Sequence, residues 1–215
     1  DTAGINEVVY RVPFEPLAPG PVGEYIEVMD FDPATHAWYE PVDLSDEQIA
    51  SQHGLAPSEG NPPFHQQFVY AVAMKTIRHF ERALGRKVVW YPRVLEPAGR
   101  AGGSKATDEV SDERWPQAYV QRLRVHPHAI RDANAYYDPD KTAVLFGYFD
   151  AAGQAQGQNY PGGLVFTCLS PDIVAHEMTH AILDSIHHRY IEDTNPDVAA
   201  FHEGFADIVA LLQRF

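Results

Sequence analysis

The segment His176-Glu177-Met178-Thr179-His180 contains the residues of this chain that are best suited to metal chemistry. A helix advances 3.6 residues per turn, so side chains four residues apart lie on the same face. His176 and His180 can then bind one zinc ion together, and Glu177 stands where it can act on a water molecule at that ion. Because the pattern His-Glu-x-x-His also occurs by chance, its interpretation depends on further ligands.

A catalytic zinc site needs a third protein ligand and an open position for water. Glu203 lies 23 residues after His180, and Asp207 follows it at i+4 on the same predicted helix face. A carboxylate beside the ligands can accept a hydrogen bond from the free ring nitrogen of a ligand histidine. The alternative is that Glu203 and Asp207 belong to a solvated helix face. His187 is about two turns beyond His180 on the same helix, too far from such an ion.

Two helices must position these residues. Ser170-Pro171-Asp172 combines a capping hydroxyl, a proline at the first position and an acid in the first turn, which predicts a helix to about residue 187. On this helix Asp184 shares the polar side with the two histidines. Asn195-Pro196-Asp197 repeats the start signal and predicts a second helix that runs to the end of the chain.

The remaining sequence predicts further helices and strands. We expect residues 1–63 to form an irregular, proline-rich segment packed on a main domain of residues 64–215. Helical spacing of apolar residues predicts a helix over 64–84, with Gly85 following its last turn. A short helix is predicted within 43–53, and strands are predicted at 7–12, 25–29, 88–91, 119–125 and 143–149. Together these elements predict an α+β fold.

Composition limits the classes of partner. The 215 residues carry a formal net charge of −14, which argues against nucleic acid and anionic membranes as partners. The one cysteine, Cys168, excludes a disulfide within the chain, and its apolar neighbours favour a small buried hydrophobic residue over a ligand. The sequence begins at Asp1 without a basic and then apolar leader, which leaves a secreted or a cytoplasmic bacterial protein open. The sequence does not indicate the oligomeric state.

The pentapeptide with histidines at both ends, followed by Glu203-Gly204-Phe205-Ala206-Asp207, resembles the gluzincin metallopeptidases and most of all the thermolysin family. Upstream, Asn134-Ala135-Tyr136-Tyr137 resembles the family segment that forms an edge strand and pairs with the substrate backbone. The resemblance covers residues 64–215. It implies a zincin-like fold, with a sheet over the helix that carries the two histidines and a cleft between them.

The resemblance also implies roles for individual residues. His176, His180 and Glu203 would bind Zn²⁺, and Glu177 would take a proton from water and pass it to the leaving amine. Asp207 would orient His176, and Asp184 matches a family residue on the same helix. Asn134 and Ala135 would hold the substrate main chain. Tyr190 would stabilise the oxyanion, and the alternative for Tyr190 is packing at the helix end.

Some positions depart from the family pattern. His202 replaces the asparagine that precedes the ligand glutamate, and Arg214 stands where the family has an acidic calcium ligand. We therefore do not expect the paired calcium site to be retained, and Asp172 is better explained as a charge at a helix N-terminus. The family continues into a helical C-terminal domain, whereas this sequence ends at Phe215. The resemblance thus implies that this domain is largely absent from the chain.

These observations predict a zinc-dependent metalloendopeptidase that hydrolyses peptide or protein substrates by glutamate-assisted attack of water. Two alternatives stay open. One is a gluzincin aminopeptidase, which also carries a Glu-Gly-Phe-Ala sequence at the third ligand. The other is a zinc-structured domain that binds peptides without catalysis.

Overall fold

The computed structural model describes residues 9–94, 117–151, 162–190 and 194–213. Helices and strands both contribute to it, so the predicted α+β class is confirmed. The helices are α1 (Glu47–Ser51), α2 (Pro62–Leu84), α3 (Pro171–Ile186) and α4 (Pro196–Gln213). The strands are β1 (Ile26–Val28), β2 (Phe31–Asp32), β3 (Ala37–Trp38), β4 (Arg93–Val94), β5 (Gln117–Ala118), β6 (Leu123–Ile130), β7 (Ala135–Asp138), β8 (Ala143–Asp150) and β9 (Leu164–Phe166). No helix within these ranges is both long and apolar enough to cross a bilayer.

The main sheet has five strands in the order β1-β6-β8-β7, and β9 pairs with the end of β8. β1, β6 and β8 are parallel to one another, whereas β7 and β9 run antiparallel to β8. β7 is the last strand of that order, and its Ala135 pairs with Phe146 of β8. Among the described residues, one edge of β7 therefore has no neighbouring strand.

One hydrophobic core joins the sheet to the helices. It contains residues of β1, α2, β6, β8 and α3, among them Ile26, Val72, Val125, Phe146 and Met178. α2 contacts α3, β1 and β6, and α3 contacts β7, β8 and α4. The sheet thus packs against α2 and α3, and α3 connects the edge strand β7 on one side to α4 on the other.

Several predictions from sequence periodicity are confirmed. The helix predicted over 64–84 runs from Pro62 to Leu84, and Gly85 ends it with the left-handed φ of 67°. The strands predicted at 25–29 and 143–149 correspond to β1 and β8, and α1 lies within 43–53. The strand predicted at 88–91 is wrong, because these residues form no strand, although Val88 and Trp90 are buried. The strand predicted at 7–12 is also wrong for its described part, since residues 9–12 form no strand. Residues 7 and 8 lie outside the described residues.

The strand predicted at 119–125 is displaced, because β6 begins at Leu123 and continues to Ile130. Its register with β8 shifts between His126 and Ile130. Pro127 lies in that shift, and a proline inside a sheet is found at such irregularities because it has no N–H to donate. The alternation of buried and exposed residues is broken there, which hides the second half of the strand from a search by periodicity.

The proline-rich segment at the beginning of the chain does more than pack on the main domain. β1 pairs in parallel with β6, and Tyr25, Ile26 and Val28 belong to the core. The described part of residues 1–63 is therefore built into the central sheet.

The outer side of α4 is largely exposed. Phe201, Ile208, Leu211 and Leu212 have 50%, 56%, 57% and 67% of their surface exposed. The buried side instead carries His202, Ala206, Ala210 and Gln213, and Gln213 contacts Thr76 of α2. These large apolar side chains of α4 thus face outward, and the small residues Ala206 and Ala210 permit close contact of the helix with α3.

Candidate metal centre

Capping residues fix where the two site helices begin. The Ser170 hydroxyl accepts a hydrogen bond from the Ile173 N–H at 3.5 Å at the start of α3. At the start of α4, the Asn195 side-chain oxygen accepts from the N–H groups of Asp197 and Val198, at 2.9 and 3.3 Å. Both predicted start signals are confirmed. The caps fix the beginning of each helix and thereby which turns face each other across the interface of α3 and α4.

Three side-chain atoms predicted to bind zinc converge at that interface. The Nε2 atoms of His176 and His180 are 2.9 Å apart, and they lie 3.2 and 3.7 Å from Oε2 of Glu203. Zinc bonds of about 2.0–2.1 Å at tetrahedral angles would place neighbouring ligand atoms about 3.3 Å apart. The three observed distances bracket that value. The donor set of two imidazole nitrogens and one carboxylate oxygen therefore fits one metal ion.

The contact between His176 and Asp207 shows which ring nitrogen of His176 has a lone pair available for a metal. The Nδ1 of His176 lies 2.9 Å from Oδ1 of Asp207. An ionised carboxylate only accepts hydrogen bonds, so Nδ1 carries the hydrogen and Nε2 presents its lone pair to the site. Asp207 thus occupies the position that the sequence predicted for it. Its side chain is 75% exposed, so solvent weakens the electrostatic part of this contact.

His180 has a partner that we did not predict. Its Nδ1 lies 2.5 Å from Nδ1 of His202, and the two rings stack with centroids 4.5 Å apart and planes within 1°. Burial, followed by the charges of His202 and His176, lowers the pKa of His180 to about 3. Burial also lowers the pKa of His202. Both rings are therefore neutral at pH 7. The Nε2 of His202 is buried and has no hydrogen-bond partner among the described residues.

Glu177 lies beside the ligands with 7% of its surface exposed. Burial raises its pKa to about 8 and the charge of Glu203 adds to this, whereas a hydrogen bond from the Tyr137 backbone opposes it. A divalent cation at the neighbouring ligands would lower that pKa, because it favours the ionised carboxylate. The proton affinity of Glu177 would therefore decrease if a cation bound at the neighbouring side chains.

A cavity of about 360 Å³ opens in front of these groups. His176, Glu177 and His180 line it from α3, residues 135–137 line it from β7, and residues of α4 including Glu203 close a third side. Ala135 is half-buried in this wall, and Asn134 precedes it as an exposed residue. The cavity thus connects the ligand atoms to the unpaired edge of the sheet.

The beginning of β7 is held by a close approach of the backbone. A Cβ atom at Gly147 would lie 2.2 Å from the Asp132 carbonyl oxygen and 2.6 Å from that of Asn134, so this position requires glycine. The Gly147 N–H donates to the Asn134 carbonyl at 2.9 Å. The Thr167 hydroxyl lies 3.3 Å from the same Asn134 oxygen and 3.0 Å from the Gly147 nitrogen. Asn134 is therefore fixed relative to the turn that leads into α3.

Two further predicted residues lie near the cavity with different partners. Tyr190 lines the cavity, is 40% exposed and has its ring 6.0 Å from that of Phe201. Asp184 is buried and accepts hydrogen bonds from the Tyr137 hydroxyl and from Nδ1 of His188, both at 2.7 Å. Asp184 thus connects α3 to β7 and to the turn that contains Tyr190. Its observed hydrogen bonds support the walls of the cavity and involve none of the three ligands.

No protein-family model and no curated protein matches this sequence. The functional interpretation therefore depends on the geometry of these side chains and on the motif resemblance. Arg214, which bears on the calcium site, lies outside the described residues. Asp172 lies in the first turn of α3, where its charge suits the helix N-terminus.

Proposed function

We propose that this chain is a zinc-dependent metalloendopeptidase with a zincin-like, thermolysin-type architecture. The observation that supports this most directly is the convergence of His176, His180 and Glu203 on one point, with Glu177 beside them in an open cavity. Structural zinc sites are almost always closed by four ligands, whereas a catalytic site has three protein ligands and a position open to solvent. Three ligands beside a cavity correspond to the second arrangement.

The donor atoms favour zinc over the common hard cations. Imidazole nitrogen suits zinc and other transition metals, whereas Mg²⁺ and Ca²⁺ prefer oxygen ligands. Among the described residues, the group contains two imidazoles and one carboxylate. Asp207 accepts a hydrogen bond from the ring of His176, an arrangement that raises the basicity of a ligand histidine.

The chemistry that we propose is hydrolysis of a peptide bond. A bound zinc ion lowers the pKa of water and polarises a carbonyl group. The Glu177 carboxylate accepts a proton from the attacking water as the water oxygen bonds to the carbonyl carbon. It then transfers that proton to the amine nitrogen as the carbon–nitrogen bond breaks. Tyr190, on the cavity wall, is the candidate donor of a hydrogen bond to the oxygen that becomes negatively charged.

An extended peptide is the substrate class that this cavity favours. β7 borders the cavity and has an unpaired edge among the described residues, so a peptide can add to it as a further strand. Main-chain hydrogen bonds would then hold the substrate, with Ala135 and the preceding Asn134 at the position where the peptide passes the ligands. This mode of binding gives affinity without requiring a particular side chain at every position.

A peptide that is quenched internally and blocked at both ends provides the test. We expect zinc-dependent cleavage that a chelator abolishes and added zinc restores. Glu177→Gln should lower turnover by at least about 100-fold, the usual contribution of a general acid–base, without loss of zinc. Glu47→Gln, at an exposed position in α1, is the matched control and should keep full activity.

Full activity of Glu177→Gln would contradict the proposal. Cleavage only of peptides with a free amino terminus would indicate an aminopeptidase. If zinc raises the melting temperature while no peptide is cleaved, the chain is a zinc-structured domain without catalysis.

A further inference from the structure

A second group of metal-binding side chains lies in the core, away from the cavity. His65 in the first turn of α2, His128 in β6 and Cys168 after β9 come together with 1%, 1% and 0% of their surface exposed. One nitrogen of each ring and the cysteine sulfur all lie within 4.8 Å of one another. Since none of these side chains faces the cavity, the proposed peptidase chemistry does not account for them.

Each ring has one nitrogen that points away from the other ring, the outer nitrogen, and its partner accepts hydrogen bonds. The Nε2 of His65 lies 2.9 Å from the Glu59 carbonyl oxygen, which can only accept. The Nδ1 of His128 lies 2.6 Å from Oδ1 of Asp30, whose other oxygen accepts from the Gln66 amide at 2.8 Å. In their neutral forms both rings therefore carry the hydrogen on the outer nitrogen.

The inner nitrogens consequently face each other with lone pairs. Nδ1 of His65 and Nε2 of His128 are 2.8 Å apart. Two acceptors cannot bond to each other directly, so this geometry requires something positive between them. The same relation holds in the candidate metal centre, where the inner nitrogens of His176 and His180 are 2.9 Å apart. The buried pair repeats that arrangement and adds a sulfur atom.

We propose that His65, His128 and Cys168 bind a second zinc ion, which stabilises the core and which burial closes from solvent without a fourth protein ligand among the described residues. This inference does not depend on the proposed peptidase activity. A histidine that binds a metal is usually oriented by a hydrogen bond from its other ring nitrogen to a carboxylate or to a backbone carbonyl. Asp30 and Glu59 supply these acceptors here. Cys168, interpreted from sequence as a buried hydrophobic residue, is buried as expected and also has a ligand atom directed to this group.

Charge balance favours Zn²⁺ among the metals that bind thiolate. Zn²⁺ with the Cys168 thiolate and the Asp30 carboxylate sums to zero, whereas Cu⁺ would leave one buried negative charge uncompensated. Burial raises the pKa of the Cys168 thiol, so the ion must displace its proton on binding. The ligands come from α2, from β6 and from the turn before α3, so the ion joins three separate elements of the core.

Burial gives the two sites different accessibility. The ion at His176, His180 and Glu203 faces a cavity, and Glu203 has 65% of its side chain exposed. The core site is closed from solvent and its ion is incorporated as the chain folds. A chelator should therefore remove the first ion from the folded protein and leave the second until the protein unfolds.

Metal analysis of the whole chain, expressed with zinc and desalted, tests the proposal. We expect two zinc ions per chain in the wild type, one after chelation, and one in His176→Ala. X-ray absorption of His176→Ala should show one sulfur at about 2.3 Å and nitrogens at about 2.0 Å from zinc. The ligands of the cavity contain no sulfur, so this signal reports the core site alone.

Cys168→Ala should contain one zinc fewer than the wild type, and all of its zinc should be removed by the chelator. Val174→Ala also shortens a buried side chain of the same core and should keep both ions. One zinc per chain in the wild type and none in His176→Ala would overturn the proposal and would indicate a proton shared between the two rings. Zinc in His176→Ala without a sulfur ligand would overturn it as well. The X-ray absorption measurement needs no substitution in the core, so it decides even if Cys168→Ala fails to fold.

Discussion

The contact between Asp207 and His176 leads to a prediction that can be tested without any substrate. Asp207 holds the hydrogen on Nδ1 of His176 and thereby directs the Nε2 lone pair at the metal position. Asp207→Ala removes both the acceptor and the negative charge. Asp207→Asn keeps an acceptor oxygen and removes only the charge. The two variants therefore separate orientation of the ring from electrostatic attraction.

The expected size of the effect follows from the geometry. Loss of a residue that orients a ligand histidine costs about 10–100-fold in metal affinity. The distance of 2.9 Å is that of a good hydrogen bond, but the Asp207 side chain is 75% exposed, so its charge is screened by solvent. We therefore expect the lower end of that range, about 10-fold weaker zinc binding, for Asp207→Ala. For Asp207→Asn we expect about 3-fold, decreasing as salt is added, since only the charge is lost.

Competition with a fluorescent zinc chelator at constant pH measures these affinities. Asp197→Ala and Asp197→Asn are the matched controls, because Asp197 is an exposed aspartate in the first turn of the same helix, ten residues before Asp207. These controls show how much zinc affinity changes when α4 loses a carboxylate other than that of Asp207. Both should bind zinc within about 2-fold of the wild type, since solvent and salt screen most of the attraction between an exposed charge and the site.

Equal zinc affinities in Asp207→Ala and Asp197→Ala would refute this argument. Such a result would mean that the ring of His176 keeps its orientation without the carboxylate. A loss in Asp207→Asn as large as that in Asp207→Ala would refute the separate role of the acceptor oxygen.

Three further outcomes are expected. Gly147→Ala forces a methyl group against the Asn134 carbonyl and should lower the melting temperature by roughly 3–10 °C, whereas Gly60→Ala, with open space around it, should change it little. Burial alone would raise the pKa of Asp32, but hydrogen bonds led by that from the Tyr148 hydroxyl lower it below its usual value. The ionised Asp32 carboxylate thus stabilises the fold fully above the unfolded pKa of about 3.9, and this stabilisation is lost as the pH falls through the lower folded pKa. In Asp32→Asn the free energy of unfolding should therefore decrease less steeply as the pH is lowered in acid. Zinc bound in the cavity should be released in acid, because protonated histidines cannot bind it, and undiminished zinc content well below about pH 5 would contradict that site.

The parts of the site that the sequence predicted are those governed by local rules. Helical periodicity places His176 and His180 on one face, and the capping signals at Ser170 and Asn195 fix where α3 and α4 begin. Glu203 was assigned from its spacing and from the motif resemblance. The histidine pair and the helix starts depend on short distances along the chain, where backbone geometry determines which side chains are neighbours. Glu203 lies on the other helix, so its assignment needed the resemblance as well.

The parts that were missed depend on contacts between distant segments. His65 and His128 are separated by 63 residues, and no spacing rule brings them together. Pro127 interrupts the alternation of β6 and hides the strand that positions His128. His202 was noted only as a departure from the family pattern, since its stacking on His180 depends on how closely two helices approach. Such features follow from packing of the whole fold and not from local pattern.

The attachment of β7 has a consequence for how the cleft can open. The Thr167 hydroxyl holds Asn134 at the beginning of this strand, and the Tyr137 hydroxyl bonds to Asp184 near its end. Two walls of the cleft, β7 and α3, are therefore tied to each other by side-chain hydrogen bonds, and the position of α4 against α3 sets the remaining width. Because α4 carries Glu203, an ion bound by all three side chains would connect α4 to α3 across the opening. Removal of that ion should broaden the distribution of cleft widths, which hydrogen exchange along α4 would detect before any loss of the core.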